Sequence, residues 1–285
     1  MMMYKHQNSI LEIIIEALFF GTVLALTVVV IITQQEANGQ QRLPVLLIHG
    51  YLNDASVWDK WIVNLRAAGI YAEAVTFNGN DKCGSDADHA EQLGNIVEGF
   101  KTRAHSDRIN IVAHSKGGLD ARVYLANNPS IDDVANLIMI GTPNAGSPRA
   151  ENRDPIEIMV ANQICGEFPD EAINDLRNGE PVTTVGMNTH TNYYTIAGDW
   201  KALSDFCMPT SLFTCMPVDY ECIDTVPMVN YLIEGSMEIN GSDDGLVPVK
   251  SVESGGFNSL GHTDNCHTNL FGDEEFNKAM SIIGK

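Results

Sequence analysis

The 285-residue chain is 44% hydrophobic, enough to bury a sizeable core, and carries 37 acidic against 17 basic residues for a formal net charge of −20. That balance argues against nucleic acid and anionic membranes as partners, because counterion release rewards basic proteins there. The length allows one large α/β domain or two small ones, and no internal repeat or low-complexity tract is visible.

The first 39 residues read as a targeting segment. An apolar run from Ala17 to Ile32 follows a short stretch with Lys5, and Glu36-Ala37-Asn38-Gly39 supplies small residues for cleavage after Gly39. Export is the simplest expectation, with a secreted chain beginning at residue 40. Glu12 and Glu16 interrupt the earlier apolar stretch, and the run is short of the ~20 residues a spanning helix needs, so an uncleaved anchor at the cell exterior is the alternative.

From residue 43 onward, strand-like and helix-like segments alternate. Leu43-Pro-Val-Leu-Leu-Ile-His-Gly50 contains a buried-strand run, Val45 to Ile48, that stops at His49-Gly50-Tyr51. A helical stretch from Trp58 to Ala68, a strand from Ala72 to Phe77 and a helix from His89 to Ala104 follow. Next comes Ile109-Asn-Ile-Val-Ala-His-Ser-Lys-Gly-Gly-Leu-Asp120, an apolar strand that breaks at Ser115 and restarts as a helix. Such a turn projects the serine hydroxyl and aims the next N–H groups at any oxyanion forming beside it, which demands small flanking residues. Here these are Ala113 and Gly117, with Ala113 departing from the usual glycine. Strands at Leu137 to Ile140, ending in Gly141-Thr-Pro, and at Tyr193 to Ala197 continue the alternation, and the last helix spans Asp273 to Ile283. This order predicts a mostly parallel central sheet with helices on both faces.

A serine of ordinary pKa needs a base within hydrogen-bond reach, and the base needs an acceptor to fix its tautomer. Late in the chain stand Ser242-Asp243-Asp244-Gly-Leu-Val-Pro248 and Asn265-Cys266-His267-Thr-Asn269, in the Ser, Asp, His order that suits loops after late strands. Asp243 and Asp199 compete with Asp244, and His262 competes with His267. Only one of two adjacent aspartates on an extended backbone can face a given histidine. His114 is expected to pack inside and His49 to support the loop after the first strand.

Six cysteines follow the targeting segment: Cys83, Cys165, Cys207, Cys215, Cys222 and Cys266. An even count fits disulfides in an oxidising compartment, with 15 pairings open. Three of them fall in a proline-containing insertion, Trp200 to Glu234, which disulfides would hold. A metal site on Cys, His262, Asp264 and His267 lacks the spacing such sites use. Apolar residues within 150–180 and 200–236 make these two stretches candidate lid or cap elements.

Taken jointly, His49-Gly50, Ala113-His-Ser-Lys-Gly-Gly118, Gly141-Thr-Pro143, Tyr193-Tyr-Thr-Ile-Ala-Gly198 and Asp244-Gly-Leu-Val247 resemble the secreted microbial lipases and esterases of the α/β-hydrolase superfamily. The resemblance runs from about Leu43 to Leu270. It implies an α/β-hydrolase domain over 40–285 with a Cys-rich insertion. It further implies Ser115 as nucleophile, Asp244 as acid, His267 as base, and the main-chain N–H groups of Tyr51 and Lys116 as oxyanion donors. The expected partner is an ester or lipid substrate, acylglycerols foremost. A polyester depolymerase, thioesterase or amidase on the same fold is the alternative, and a non-catalytic cell-surface binding protein a more distant one. No cofactor is required. In the resembling lipases a structural calcium is held by an aspartate two residues after the histidine; Asn269 stands there and brings no charge.

Overall fold

A computed structural model describes residues 42–151, 155–166, 170–177, 187–200, 207–211, 214–217 and 242–285. The targeting segment of residues 1–39 lies outside them, as does most of the candidate cap in 200–236. Among the described residues no helix is long and apolar enough to cross a membrane.

Six strands form one sheet: β1 (Val45–Ile48), β2 (Ala72–Ala74), β3 (Ile109–His114), β4 (Val134–Ile140), β5 (Asn192–Gly198) and β8 (Asn258–Thr263). Their order is β2-β1-β3-β4-β5-β8, with every neighbouring pair parallel. Strands β6 (Cys207–Ser211) and β7 (Thr214–Pro217) pair antiparallel in a separate ribbon within the insertion. The helices are α1 (Asp59–Ala67), α2 (Asp86–Ala104), α3 (Lys116–Asn127), α4 (Pro148–Glu151), α5 (Pro155–Cys165), α6 (Asp170–Asp175), α7 (Val249–Val252) and α8 (Asp273–Ile283).

Side chains alternate across a strand, so a sheet covered on both faces needs strands that are apolar at every position. Strand β1 meets that demand throughout, and β3 meets it except at Asn110 and His114, which are buried and hydrogen-bonded. Leu46, Ile48, Ile111 and Ala113 face one core with Leu93, Val97 and Phe100 of α2 and Ala121 and Leu125 of α3. Val45, Leu47 and Val112 face the other, with Trp61 and Leu65 of α1 and Ala279 and Ile283 of α8. Edge-to-face contacts of Trp61 with Trp58 and Phe276, and a hydrogen bond from the Trp61 indole N–H to the Phe271 carbonyl at 2.8 Å, tie α1 to the C-terminal region.

Helix α2 begins three residues earlier than periodicity suggests because of its cap. The Ser85 hydroxyl accepts the Asp88 N–H, Asp86 and Asp88 lie at the positive end of the helix dipole, and Lys101 and Arg103 lie at the negative end. Two further differences from expectation stand out. Strand β2 stops at Ala74, because the backbone turns away after Val75 bonds the Leu47 carbonyl. The Gly-rich stretch before His267 is itself a strand, β8, whose pairing with β5 supplies what its sequence lacks in apolar character.

The chain moves from β1 outward to β2, then crosses back to β3 and proceeds the other way. The carboxyl ends of β1 and β3 are therefore the topological switch point, where open α/β sheets leave a crevice for ligands. The His49-Gly50 and Ser115 turns both leave the sheet there.

A disulfide joins Cys83, just before α2, to Cys165 at the end of α5 across 82 residues. Cys266 is disulfide-bonded as well. Closing a loop of that length removes about 4 kcal/mol of chain entropy from the unfolded state. Replacing both Cys83 and Cys165 by serine is expected to lower unfolding stability by up to about 4 kcal/mol. Urea denaturation of the oxidised wild type and the double variant checks it; equal midpoints would show that the bridge does not constrain the unfolded chain.

Candidate active site

Ser115 occupies the turn between β3 and α3 with φ 53° and ψ −129°, a conformation that a side-chain-bearing residue holds only when its surroundings fix it. Its N–H donates to the Ile140 carbonyl at the end of β4, and its carbonyl accepts the Gly118 N–H. The turn is packed so closely that side chains are excluded around it. A Cβ on Gly117 would stand 2.3 Å from the His49 carbonyl oxygen, and one on Gly50 would stand 2.8 Å from the Ser115 Cβ. Ala113, in contrast, lies fully buried within β3 and is accommodated. The close approach at Gly50 brings the Gly50-Tyr51 loop beside the serine.

The late loops converge on the same point. The Ser115 hydroxyl donates to His267 Nε2 at 2.8 Å, and His267 Nδ1–H donates to Asp244 Oδ2 at 2.7 Å. An ionised carboxylate only accepts, so Asp244 places the proton on Nδ1 and leaves the Nε2 lone pair facing the hydroxyl. Asp244 is itself oriented: its Oδ1 accepts the N–H groups of Val247 at 2.7 Å and Leu246 at 3.0 Å. The two loops are joined by a hydrogen bond from the His267 N–H to the Asp244 carbonyl. Behind His267, the His114 Nε2–H donates to the His267 carbonyl at 3.0 Å. Burial, and secondarily the nearby His267, hold His114 well below the ordinary imidazole pKa, so it is a neutral strut.

The competing residues lie elsewhere. Asp243 turns its carboxylate to the Gly245 N–H at 2.7 Å, and burial pushes its pKa up to about 6. His262, on β8, contacts Glu253 Oε1 at 3.0 Å and is 41% exposed at the side chain. Asp199 follows β5 and bonds the Thr263 carbonyl through its main-chain N–H. His49 donates from Nδ1 to the Gly50 carbonyl and stands edge-on to Phe77, which holds the loop after β1. Among the described residues no group of three or more His, Cys, Asp or Glu is arranged to hold a metal ion, and Asn269 brings no charge.

One feature escaped the sequence reading. The Lys116 side chain is buried, not solvent-facing, and its Nζ lies 2.6 Å from Asp120 Oδ1 and 2.8 Å from Asp86 Oδ1. His89 Nδ1–H donates to Asp120 Oδ2 at 2.9 Å while its ring stacks on Phe77 at 3.7 Å. The Asp86 N–H donates to Asp175 Oδ2 of α6 at 2.7 Å. A lysine and an aspartate four residues apart in Lys116-Gly-Gly-Leu-Asp120 are the visible signal, since that spacing puts both on one helix face. Asp86 is 30 residues upstream and gives none.

Burial dominates the electrostatics of this cluster. It pushes Asp86 up to about 8, opposed by Lys116, and lowers His89 to about 4. Burial also acts to lower the Lys116 pKa, but Asp120 and Asp86 outweigh it, and the ammonium is held above the ordinary lysine value. For Asp86, both folded and unfolded chains hold the proton below its ordinary value of 3.8. Between there and about 8 only the folded chain does, so stability contributed by that proton declines as pH rises and is gone once the folded carboxyl ionises. Between pH 6 and 9 the urea midpoint of the wild type is therefore expected to fall more steeply than that of Asp86→Asn, which has no proton to lose there. Parallel midpoint curves would place the ionisation elsewhere.

Known proteins resemble this chain in sequence and in fold. The chain is 30% identical over 116 residues to a triacylglycerol lipase of Pseudarthrobacter phenanthrenivorans, covering 39% of this chain and 36% of that one. A triacylglycerol lipase of Burkholderia plantarii is likewise 30% identical over 116 residues, covering 39% and 32%. The matched segment thus spans about a third of each of these relatives. Among solved structures, the mature Bacillus licheniformis lipase BlEst2 superposes with a TM-score of 0.64 at 18% identity, covering 86% of this chain and 93% of that one. The metagenomic carboxyl esterase MGS0156 superposes with a TM-score of 0.59 at 17% identity, covering 80% and 65%. At such low identity these two likenesses establish the fold, that of the α/β-hydrolases. The profile of the palmitoyl protein thioesterase family matches residues 44–198, more than half of the chain and the part that carries β1 through β5 and the Ser115 turn. The chain is thus a member of the palmitoyl protein thioesterase family, on the α/β-hydrolase fold.

Proposed function

We propose that this protein is a serine hydrolase that cleaves carboxylic esters, acylglycerols foremost, through an acyl-enzyme on Ser115. The observation that carries the reading is the unbroken line of hydrogen bonds Ser115, His267, Asp244, set at the strained turn on the sheet's switch point. In this mechanism His267 takes the Ser115 proton as the hydroxyl attacks the ester carbonyl, and Asp244 stabilises the imidazolium. The main-chain N–H groups of Lys116 and Tyr51 hold the oxyanion. The imidazolium then protonates the departing alcohol. Water, deprotonated by His267, attacks the acyl-enzyme and releases the acid. The triacylglycerol lipases among its relatives support an acylglycerol substrate. A second reading, thioester cleavage by the same steps with a thiol as leaving group, is favoured by the family profile.

The Cys83–Cys165 bridge supports an oxidising compartment, hence a secreted or externally anchored enzyme. An acidic surface suits solubility there and disfavours nucleic acid as a partner.

The experiment is hydrolysis of p-nitrophenyl esters of short and long acyl chains beside an acyl thioester, with wild type, Ser115→Ala and Asp244→Asn. Ser115→Ala is expected to lose about five to six orders of magnitude in kcat with little change in unfolding stability. Asp244→Asn leaves the histidine in the wrong tautomer and is expected to lose about 10⁴-fold. A Ser115→Ala variant that retains activity would overturn the assignment. Thioester turnover exceeding ester turnover by an order of magnitude would favour the second reading.

A further inference from the structure

We propose that the Lys116 side chain is a positioning residue for acyl transfer: its buried polar contacts with Asp86 and Asp120 hold the main-chain N–H of the same residue where the oxyanion forms. This rests on the reading of Ser115 as nucleophile and of the Lys116 N–H as oxyanion donor.

A buried lysine at the first position of a helix runs against two preferences. Burial of an ammonium is costly, and the positive end of the helix dipole disfavours a cation. Its place directly after Ser115 supplies the reason. The peptide between Ser115 and Lys116 carries the oxyanion N–H, and two fixed points set the direction of a planar trans peptide. One is the Ser115 carbonyl, held by the Gly118 N–H at 3.0 Å. The other is the Lys116 Cα, whose side chain is drawn to one side by Asp86 and Asp120.

The tether ends on fixed elements. Asp120 is one turn along α3 and is gripped from behind by His89, which stacks on Phe77. Asp86 opens α2, its N–H bound by Asp175 of α6, and the chain just before it is clipped to α5 by the Cys83–Cys165 bridge. Support of this kind, from groups whose own rotamers are locked, is what keeps a donor within the fraction of an ångström that transition-state stabilisation needs. The charge is matched as well. Asp120 lies behind the turn at 2.6 Å from the ammonium, so without that cation its carboxylate would oppose an oxyanion formed at Ser115.

The test compares wild type with Lys116→Met/Asp86→Asn/Asp120→Asn, which removes the cation without leaving a buried carboxylate unpaired, and with Asp86→Asn alone, which keeps shape and size. For each full chain, kcat and KM are measured on a p-nitrophenyl ester, along with the inhibition constant of a trifluoromethyl ketone of the same acyl chain. That ketone forms an oxyanion adduct with the serine. The triple variant is expected to lose roughly 100-fold in kcat, the order that removal of one oxyanion donor costs, with KM within about threefold and the ketone's inhibition constant rising in proportion. Asp86→Asn is expected to fall between, on the same line, and carries the test if the triple variant does not fold. Folded variants whose kcat and inhibition constant stay within about twofold of wild type would overturn the proposal. So would a loss of kcat with the inhibition constant unmoved, since a merely structural link between α2 and α3 would do that. Absence of Ser115-dependent hydrolysis in the wild type would fail the underlying reading instead, and it shows before any variant is compared.

Discussion

Everything at the site depends on how tightly the β3–α3 turn is packed. Ser115 adopts a strained backbone only because the Ile140 carbonyl and the Gly118 N–H grip it from both sides and because Gly50 and Gly117 leave no side chain in the way. A single methyl group at Gly117 would meet the His49 carbonyl at less than van der Waals distance. The cost of that strain is carried by two strands, β1 and β3, that are buried throughout and largely apolar on both faces. A rigid sheet centre thus holds a reactive turn that would relax if placed on a loop.

The polar machinery is built outward from that turn in two directions. Toward the late loops, main-chain N–H groups orient the Asp244 carboxylate and the His114 imidazole holds the His267 carbonyl, so the His267 imidazole meets Asp244 in a defined tautomer. Toward α2, Lys116, Asp86, Asp120 and His89 form a second buried network, charged where the first is a relay. Both are removed from water. Burial holds the imidazoles of His114 and His89 neutral, while Lys116 stays charged because Asp120 and Asp86 outweigh its burial. The acidic character of the whole chain bears on solubility and partner choice and has little to do with either network.

Legibility of the sequence followed the locality of each feature. Ser115 announces itself because strand, turn and helix are contiguous, and the apolar runs at β1, β3 and β4 mark a sheet covered on both sides. Asp244 and His267 could be proposed from chain order, yet Asp243 and His262 were equally present in the sequence. What separates them is the bridge of Asp243 to Pro248 and the pairing of β8 with β5, which turn those two side chains away. Strand β8 itself was hidden, since Asn258-Ser-Leu-Gly-His-Thr263 has no apolar alternation and is a strand through its neighbour's hydrogen bonds.

By itself the sequence determined which residues must be buried, where the chain turns sharply, and which residue types stand near a serine poised for attack, because periodicity and turn chemistry are local properties. Only the tertiary structure decided which aspartate meets the histidine, which cysteine pairs with Cys83, and that Lys116 points inward to a carboxylate 30 residues away. Those outcomes are set by distances between segments that the packing of α2, α3 and the late loops against one sheet brings together, and no window of neighbouring residues contains them.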